Sequence, residues 1–233
     1  MGTIAITGSA SGIGAASAGR LGAAGHRIIG VDRRDADVVA DLSTPDGRAA
    51  AVETTLERAD GVLDGLVTCA GLGGLPGRPG SLVAEVNYFG TVELIEGLHP
   101  ALAAGTDSAV VAIGSNSTTV QPGIPADLTA AFLAGDREEA RRRADEIGSM
   151  LTYPSTKVGV CHWVRRNATT DRWIGNGIRV NAVSPGMVET ALVAEQKADA
   201  QMAPMLDLLP IPVGRPGRPD EIAAVVEYER SQL

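Results

Sequence analysis

The chain has 233 residues, 44% of them hydrophobic and 21% charged, with a net charge of −8. That much apolar material can build a sizeable core, which excludes wholesale disorder. The acidic balance argues against a nucleic-acid partner or an anionic membrane surface, both of which call for a basic patch.

The N-terminus, "MGTIAITGSA", lacks the charged region and long apolar run of a secretory signal. No stretch approaches the ~18 apolar residues that span a bilayer. A soluble, cytoplasmic protein is expected, with Cys69 and Cys161 reduced and packed as small hydrophobes. His26, His99 and His162 are far apart and lack Cys or carboxylate neighbours at ligand spacing, so no metal is expected.

In chain order, "TIAIT" (3–7) reads as a strand and "SGIGAASAGRLGAAG" (11–25) as a helix ending at a glycine. "RIIGVD" (27–32) is a strand. "TPDGRAAAVETTLERA" (44–59) is a helix capped by Thr44 with Pro45 in first position. A strand lies within 63–71, a helix over 81–102 and a strand over 108–115. A helix over 151–170, a strand over 178–186 and a helix over 218–229 follow. The strands are continuous Val/Ile-rich runs, which suits a parallel sheet buried on both faces. Alternation of strand and helix predicts an α/β fold of one domain, 1–233: a three-layer, doubly wound parallel sheet of the Rossmann type. Residues 122–149 break the rhythm with two helical patterns, a helical insertion. Its segment "REEARRRADE" sets Glu139–Arg143 and Arg142–Glu146 at i,i+4 and reads as a solvated face.

"TGSASGIG" joins the first strand to the first helix. Such a turn brings backbone N–H groups and a positive helix end to a pyrophosphate, which makes Gly8, Ser11, Gly12, Ile13 and Gly14 candidate cofactor residues. Eighteen residues past Gly14, Asp32 ends the second strand, where a carboxylate accepts from ribose hydroxyls and repels a 2′-phosphate. NAD is therefore expected rather than NADP, although Arg33 and Arg34 beside it could hold a phosphate. Tyr153 and Lys157 stand one helical turn apart on one face. A free phenol has a pKa near ~10, too high for a good base at neutral pH, and an adjacent ammonium lowers it. Pro154 between them fits if the helix begins just before Tyr153, so that the proline lies in its first turn.

Together with "CAG" (69–71), "VNYFG" (86–90), "IGS" (113–115), "YPSTK" (153–157) and "NAVSPG" (181–186), in that order and spacing, these motifs resemble the short-chain dehydrogenase/reductase family over nearly the whole chain. The resemblance implies an NAD-dependent oxidoreductase that interconverts a secondary alcohol and a ketone, on a bulky alicyclic substrate such as a steroid. Another carbonyl substrate, or an NAD-binding protein that no longer turns over, remains open. It further implies that Ser115 hydrogen-bonds the substrate oxygen, Tyr153 moves the proton, Lys157 holds the nicotinamide ribose and Asn87 joins a water-linked relay. Asp41 and Leu42 would flank adenine, Ala70 and Gly71 would line the cofactor through backbone, and Pro185, Gly186, Val188 and Thr190 would sit beside the nicotinamide. Cys69 stands where the family usually has asparagine. Residues 187–213, rich in Met and Leu, are expected to form a substrate lid. The family's last strand has no counterpart in "RSQL". The insertion should obstruct one of the family's two assembly surfaces, so a homodimer is expected, with Val225, Val226 and Tyr228 in its contact.

Overall fold

A computed structural model describes residues 1–231. In chain order it comprises β1 (Thr3–Thr7), α1 (Gly12–Ala23), β2 (Arg27–Asp32), β3 (Val38–Val39), α2 (Pro45–Arg58) and β4 (Gly65–Thr68). Next come α3 (Gly80–Ala84), a π-turn (Glu85–Phe89), α4 (Gly90–Gly97), α5 (His99–Ala104), β5 (Ala109–Ile113) and α6 (Ser117–Val120). Then follow α7 (Ala126–Ala134), α8 (Arg137–Ile147), α9 (Ser149–Asn167), a 3₁₀ turn (Ile174–Asn176), β6 (Arg179–Val183), α10 (Ala191–Ala198), α11 (Ala203–Asp207) and α12 (Pro219–Ser231).

The six strands are all parallel, in the order β3-β2-β1-β4-β5-β6. This is the Rossmann order, and it places a crevice at the C-terminal ends of β1 and β4, where the direction of winding reverses. The central strands alternate their side chains between two buried layers. Ile4, Ile6, Val67 and Val111 pack with Leu21 of α1 and Val226 of α12. Ala5, Leu66, Val110 and Ala112 face the other layer, with Leu94, Val160 and Trp173. No helix among the described residues is long and apolar enough to cross a membrane.

Several sequence expectations need correction. The segment 81–102 is not one helix. It passes through the π-turn, where the Gly90 N–H bonds back to the Glu85 carbonyl, and breaks again at Leu98 ahead of the His99–Pro100 pair. The two-residue strand β3 carries too short a pattern to be read from sequence. In the insertion, Gly135 in the left-handed region ends α7, and the Asp136 side chain caps α8 by accepting from the Glu139 N–H. The expected Glu139–Arg143 pair does not form: Arg143 reaches Asp127 on α7 and Glu146, while Arg142 takes both Glu139 and Glu146. Nor is α8 wholly solvated, because Arg137 and Arg141 turn inward to Glu93 and the buried Glu85. Val226, expected at a dimer contact, is buried within its own chain, whereas Val225 and Tyr228 are exposed.

Candidate active site

The first wall of the crevice is made of backbone. Gly8 adopts φ +67, and a Cβ there would lie 2.7 Å from the Ala70 nitrogen. A Cβ on Gly14 would overlap the Gly8 carbonyl oxygen. The turn after β1 thus packs directly on the turn after β4, held further by the Ala70 N–H donating to the Thr7 hydroxyl at 3.0 Å. Ser11 is the N-cap of α1, yet its side chain makes no capping bond, so the first amides of the helix, at Gly12, Ile13 and Gly14, lack a side-chain cap where they line the crevice. Uncapped amides at a helix start form an anion site.

Asp32 is fixed at the end of β2. Its carboxylate accepts from the Ala10 N–H at 3.1 Å and from the Arg33 N–H at 2.7 Å. Arg33 and Arg34 are exposed on the same rim. Asp41 and Leu42 continue this wall, and hydrogen bonds from Ser43 hold the Asp41 carboxyl below its usual range. Cys69 packs against the α1/α12 layer, and burial pushes its thiol up to about 12, so it stays protonated.

The second wall carries the reactive side chains. Ser115 follows β5, is 8% exposed, and its hydroxyl accepts from the Ser117 N–H at 3.1 Å. Tyr153 and Lys157 project from α9 into the same crevice. Lys157 is buried, and its Nζ donates to the Ile113 carbonyl at 2.8 Å, anchoring it to the strand that delivers Ser115. Burial lowers its ammonium to about 8. The Nζ lies 6.0 Å from the centre of the Tyr153 ring. Burial pushes the Tyr153 phenol up, and the neighbouring Ser115 hydroxyl pulls in the other direction. The ammonium does not dominate the phenol here as the spacing suggested, because its hydrogen bond goes to Ile113.

Pro154 also differs from expectation. The helix starts at Ser149, five residues before it, so the proline lies beyond the first turn. It removes the N–H that the Met150 carbonyl would otherwise receive. Gly148, at φ +78, ends α8 and starts α9, and the Thr152 hydroxyl donates back to its carbonyl at 2.9 Å.

Asn87 lies in the π-turn and is fully buried. Its side chain clamps Leu72 at both ends, accepting from the Leu72 N–H at 2.8 Å and donating to its carbonyl at 2.9 Å. The Ser149 hydroxyl likewise bonds the N–H and carbonyl of Leu75. Arg78 closes the loop by donating to the Gly73 carbonyl and pairing with Glu195 of α10 at 2.7 Å. Gln196, also on α10, donates to the Gly74 carbonyl at 3.1 Å. None of Ser149, Arg78, Glu195 or Gln196 is legible in sequence: Ser149 and Gln196 act on distant backbone, and Glu195 meets Arg78 across 117 residues. Pro185, Gly186, Val188 and Thr190 line the crevice after β6, and the Thr190 hydroxyl caps α10. The crevice encloses about 740 Å³. Among the described residues no group of three His, Cys, Asp or Glu is placed to hold a metal ion.

Residues 2–126 match the family model described as short chain dehydrogenase, and residues 140–228 match one described as Enoyl-(Acyl carrier protein) reductase. The chain belongs to the short-chain dehydrogenase family. It is an NAD-dependent oxidoreductase of that family. Among its relatives, the 3-alpha-hydroxysteroid dehydrogenase/carbonyl reductase of Comamonas testosteroni is 38% identical, over 98% of this chain and 89% of its own. The cis-4-hydroxycyclohexanecarboxylate dehydrogenase of Sinomonas cyclohexanicum is 30% identical, over 96% and 86%. The crystal structure of the 3-alpha-hydroxysteroid dehydrogenase from Pseudomonas sp. B-0831, complexed with NADH, superposes with a TM-score of 0.93 at 45% identity, covering 98% of this chain and 89% of that one. The short-chain dehydrogenase crevice fits a dinucleotide on its own chemistry: uncapped helix amides for the pyrophosphate and a fixed carboxylate at the end of β2 for a ribose.

Proposed function

We propose that this oxidoreductase interconverts a secondary alcohol and a ketone on a bulky alicyclic substrate, a 3-hydroxysteroid or a similar ring carbonyl. The observation that carries this reading is the convergence of Ser115, Tyr153 and Lys157 in one crevice with the uncapped start of α1 and Asp32. Leu72, Leu82, Val86, Leu192 and Val193 line the same space and suit an apolar ring system. The names of the relatives point the same way, since they act on hydroxysteroids and on a hydroxycyclohexane acid.

NAD, when bound, supplies the hydride acceptor for oxidation, and NADH the donor for reduction. It would lie with its pyrophosphate at Gly12–Gly14, its adenosine toward Asp32, Asp41 and Leu42, and its nicotinamide toward Pro185, Gly186, Val188 and Thr190. The Ser115 hydroxyl holds the substrate oxygen and serves alcohol and ketone alike, because it both donates and accepts. The Tyr153 oxygen gives its proton to the ketone or takes one from the alcohol. With the phenol raised by burial, the resting protein presents a proton donor, the form that reduction uses. Lys157, charged below about 8, would orient the ribose. The clamp of Asn87 on Leu72 supports a positioning role for that side chain, with a water-linked path to Lys157 as its further role.

Residues 187–213 act as the substrate lid, with α10 resting on the 72–78 loop through Glu195 and Gln196. A homodimer would use the exposed Val225 and Tyr228 of α12, while α8 covers the flank of α3. An NADH-absorbance assay across 3-hydroxysteroids, cyclohexanols and their ketones tests the reading. Turnover of ring substrates is expected. Binding of NAD without turnover of any of them would overturn it, and preference for an acyclic carbonyl would move the substrate class.

A further inference from the structure

Arg48 is the most deeply buried guanidinium among the described residues, at 1% exposure. A buried cation is costly unless its N–H groups are met, and well-packed apolar groups often serve a core as well. Its Nε donates to Glu93 at 2.7 Å, and its Nη1 pairs with Glu85 at 2.9 Å. The same Nη1 donates at 2.9 Å to the main-chain carbonyl of Leu42. Glu85 is itself buried, and Arg141 of the insertion also reaches it at 2.9 Å; Arg137 pairs with Glu93 and stacks over Phe89. A chain of charged contacts thus runs from the insertion helix through Glu85 and Arg48 to the backbone of Leu42.

Leu42 is not an ordinary core position. With Asp41 and Ser43 it lines the crevice, on the side where Asp32 stands. The remaining bonds of this corner are local: Ser43 and Thr44 bond Asp41, and the Thr44 hydroxyl caps α2. Leu42 also packs in the core beside α4, and the Arg48 side chain adds a charged tie from its carbonyl to Glu85 and Glu93 of the neighbouring π-turn and helix.

We propose that Arg48 is a positioning residue for the adenosine end of the cofactor, and that the insertion acts on the same point through Arg141 and Glu85. This rests on the cofactor orientation given above. It assigns the insertion a part in cofactor affinity, with no contact to substrate or nicotinamide.

Two fragments of the cofactor separate this from a general loss of structure. ADP-ribose contains the adenosine end, and nicotinamide mononucleotide lacks it. Binding of each to the full chain is measured by ligand-detected NMR. Arg48→Met should weaken ADP-ribose about tenfold, the scale of one lost charged hydrogen bond, and leave the mononucleotide unchanged. Arg141→Met alters a half-exposed side chain, so it tests the same chain where Arg48→Met fails to fold; a roughly threefold loss confined to ADP-ribose is expected. Arg48→Lys should restore less than half of the loss, because an ammonium cannot present the fork that meets Glu93, Glu85 and Leu42 together. Equal weakening of both fragments, or of neither, overturns the proposal. Wild-type protein that binds neither fragment would instead sink the cofactor orientation on which it rests.

Discussion

The two walls of the crevice are built from different materials. On the cofactor side, the turn after β1 meets the turn after β4 backbone to backbone at Gly8, and closes on itself at Gly14, with no room for a side chain at either. On the substrate side, the 72–78 loop is held by side chains: Asn87 on Leu72, Ser149 on Leu75, and Arg78 with Gln196 between loop and α10. A backbone wall fixes a shape that many ligands of one class share. A side-chain wall can be re-cut residue by residue, which is what a change of substrate demands.

If that contrast holds, the largest effect comes from the reactive side chain itself. Tyr153→Phe should lower turnover at least 10²-fold while ADP-ribose binds as before, because only the titrating oxygen is lost. More than a tenth of the wild-type rate remaining would deny it the proton transfer. Gly14→Ala attacks the other wall. Its new Cβ falls on the Gly8 carbonyl, so the loop must shift, and ADP-ribose should weaken about tenfold along with a loss of a few kcal/mol of stability. Unchanged binding and melting temperature would mean that the turn is not as tightly set as described. Asp32→Ala touches the cofactor wall through a side chain. The ratio of NADP to NAD use should rise about tenfold as the carboxylate's repulsion is removed. Wild-type preference for NADP would assign the pocket to Arg33 or Arg34 instead.

Glu195→Gln sharpens the comparison from the substrate side. Glu195 is half-exposed and its pair with Arg78 is worth at most about 1 kcal/mol, so KM for substrate should change by up to about fivefold with ADP-ribose binding intact. A change in ADP-ribose affinity of the same size would show that the walls are not independent. The smallest expected effect lies outside the crevice. Burial and the Arg230 guanidinium hold His26 below its usual 6.5. Between its folded value and 6.5 the unfolded chain binds the extra proton, so stability contributed by neutral His26 is complete above 6.5 and declines as pH falls below it. Denaturant midpoints of wild type and His26→Gln, compared from pH 7.5 to about 5.5, should diverge only at the acid end. Parallel curves throughout would remove His26 from the balance.

The sequence made the frame plain because the frame is written in local signals. Val/Ile runs marked the strands, "TGSASGIG" marked the first turn, and Thr44–Pro45 marked the start of α2. The residues converging at the crevice carried motif spacing that could be read in one dimension. What escaped was set by partners far along the chain. The start of α9 was misplaced because Gly148 and the Thr152 back-bond, rather than Pro154, decide it. Arg143 was assigned to its helical neighbour Glu139, but Asp127 sixteen residues away receives it. The Lys157 ammonium was aimed at Tyr153 by spacing alone, while the nearer acceptor was a carbonyl on β5.

The π-turn at Glu85–Phe89 settles a matter of rotation. In a regular α-helix, residues eight apart point in directions about 80° different around the axis. Glu85 and Glu93 are eight apart, yet both reach Arg48. The widened turn absorbs one residue, so the two carboxylates stand as if seven apart, within about 20° of a common direction. The turn behaves as a phase adjuster: Asn87, inside it, reaches Leu72, while the flanking helices present both glutamates to one guanidinium. Removing a single residue from the turn should leave the glutamates aligned and cost only the reach of Asn87, whereas removing one from α4 ahead of Glu93 would swing that carboxylate away by about 100°.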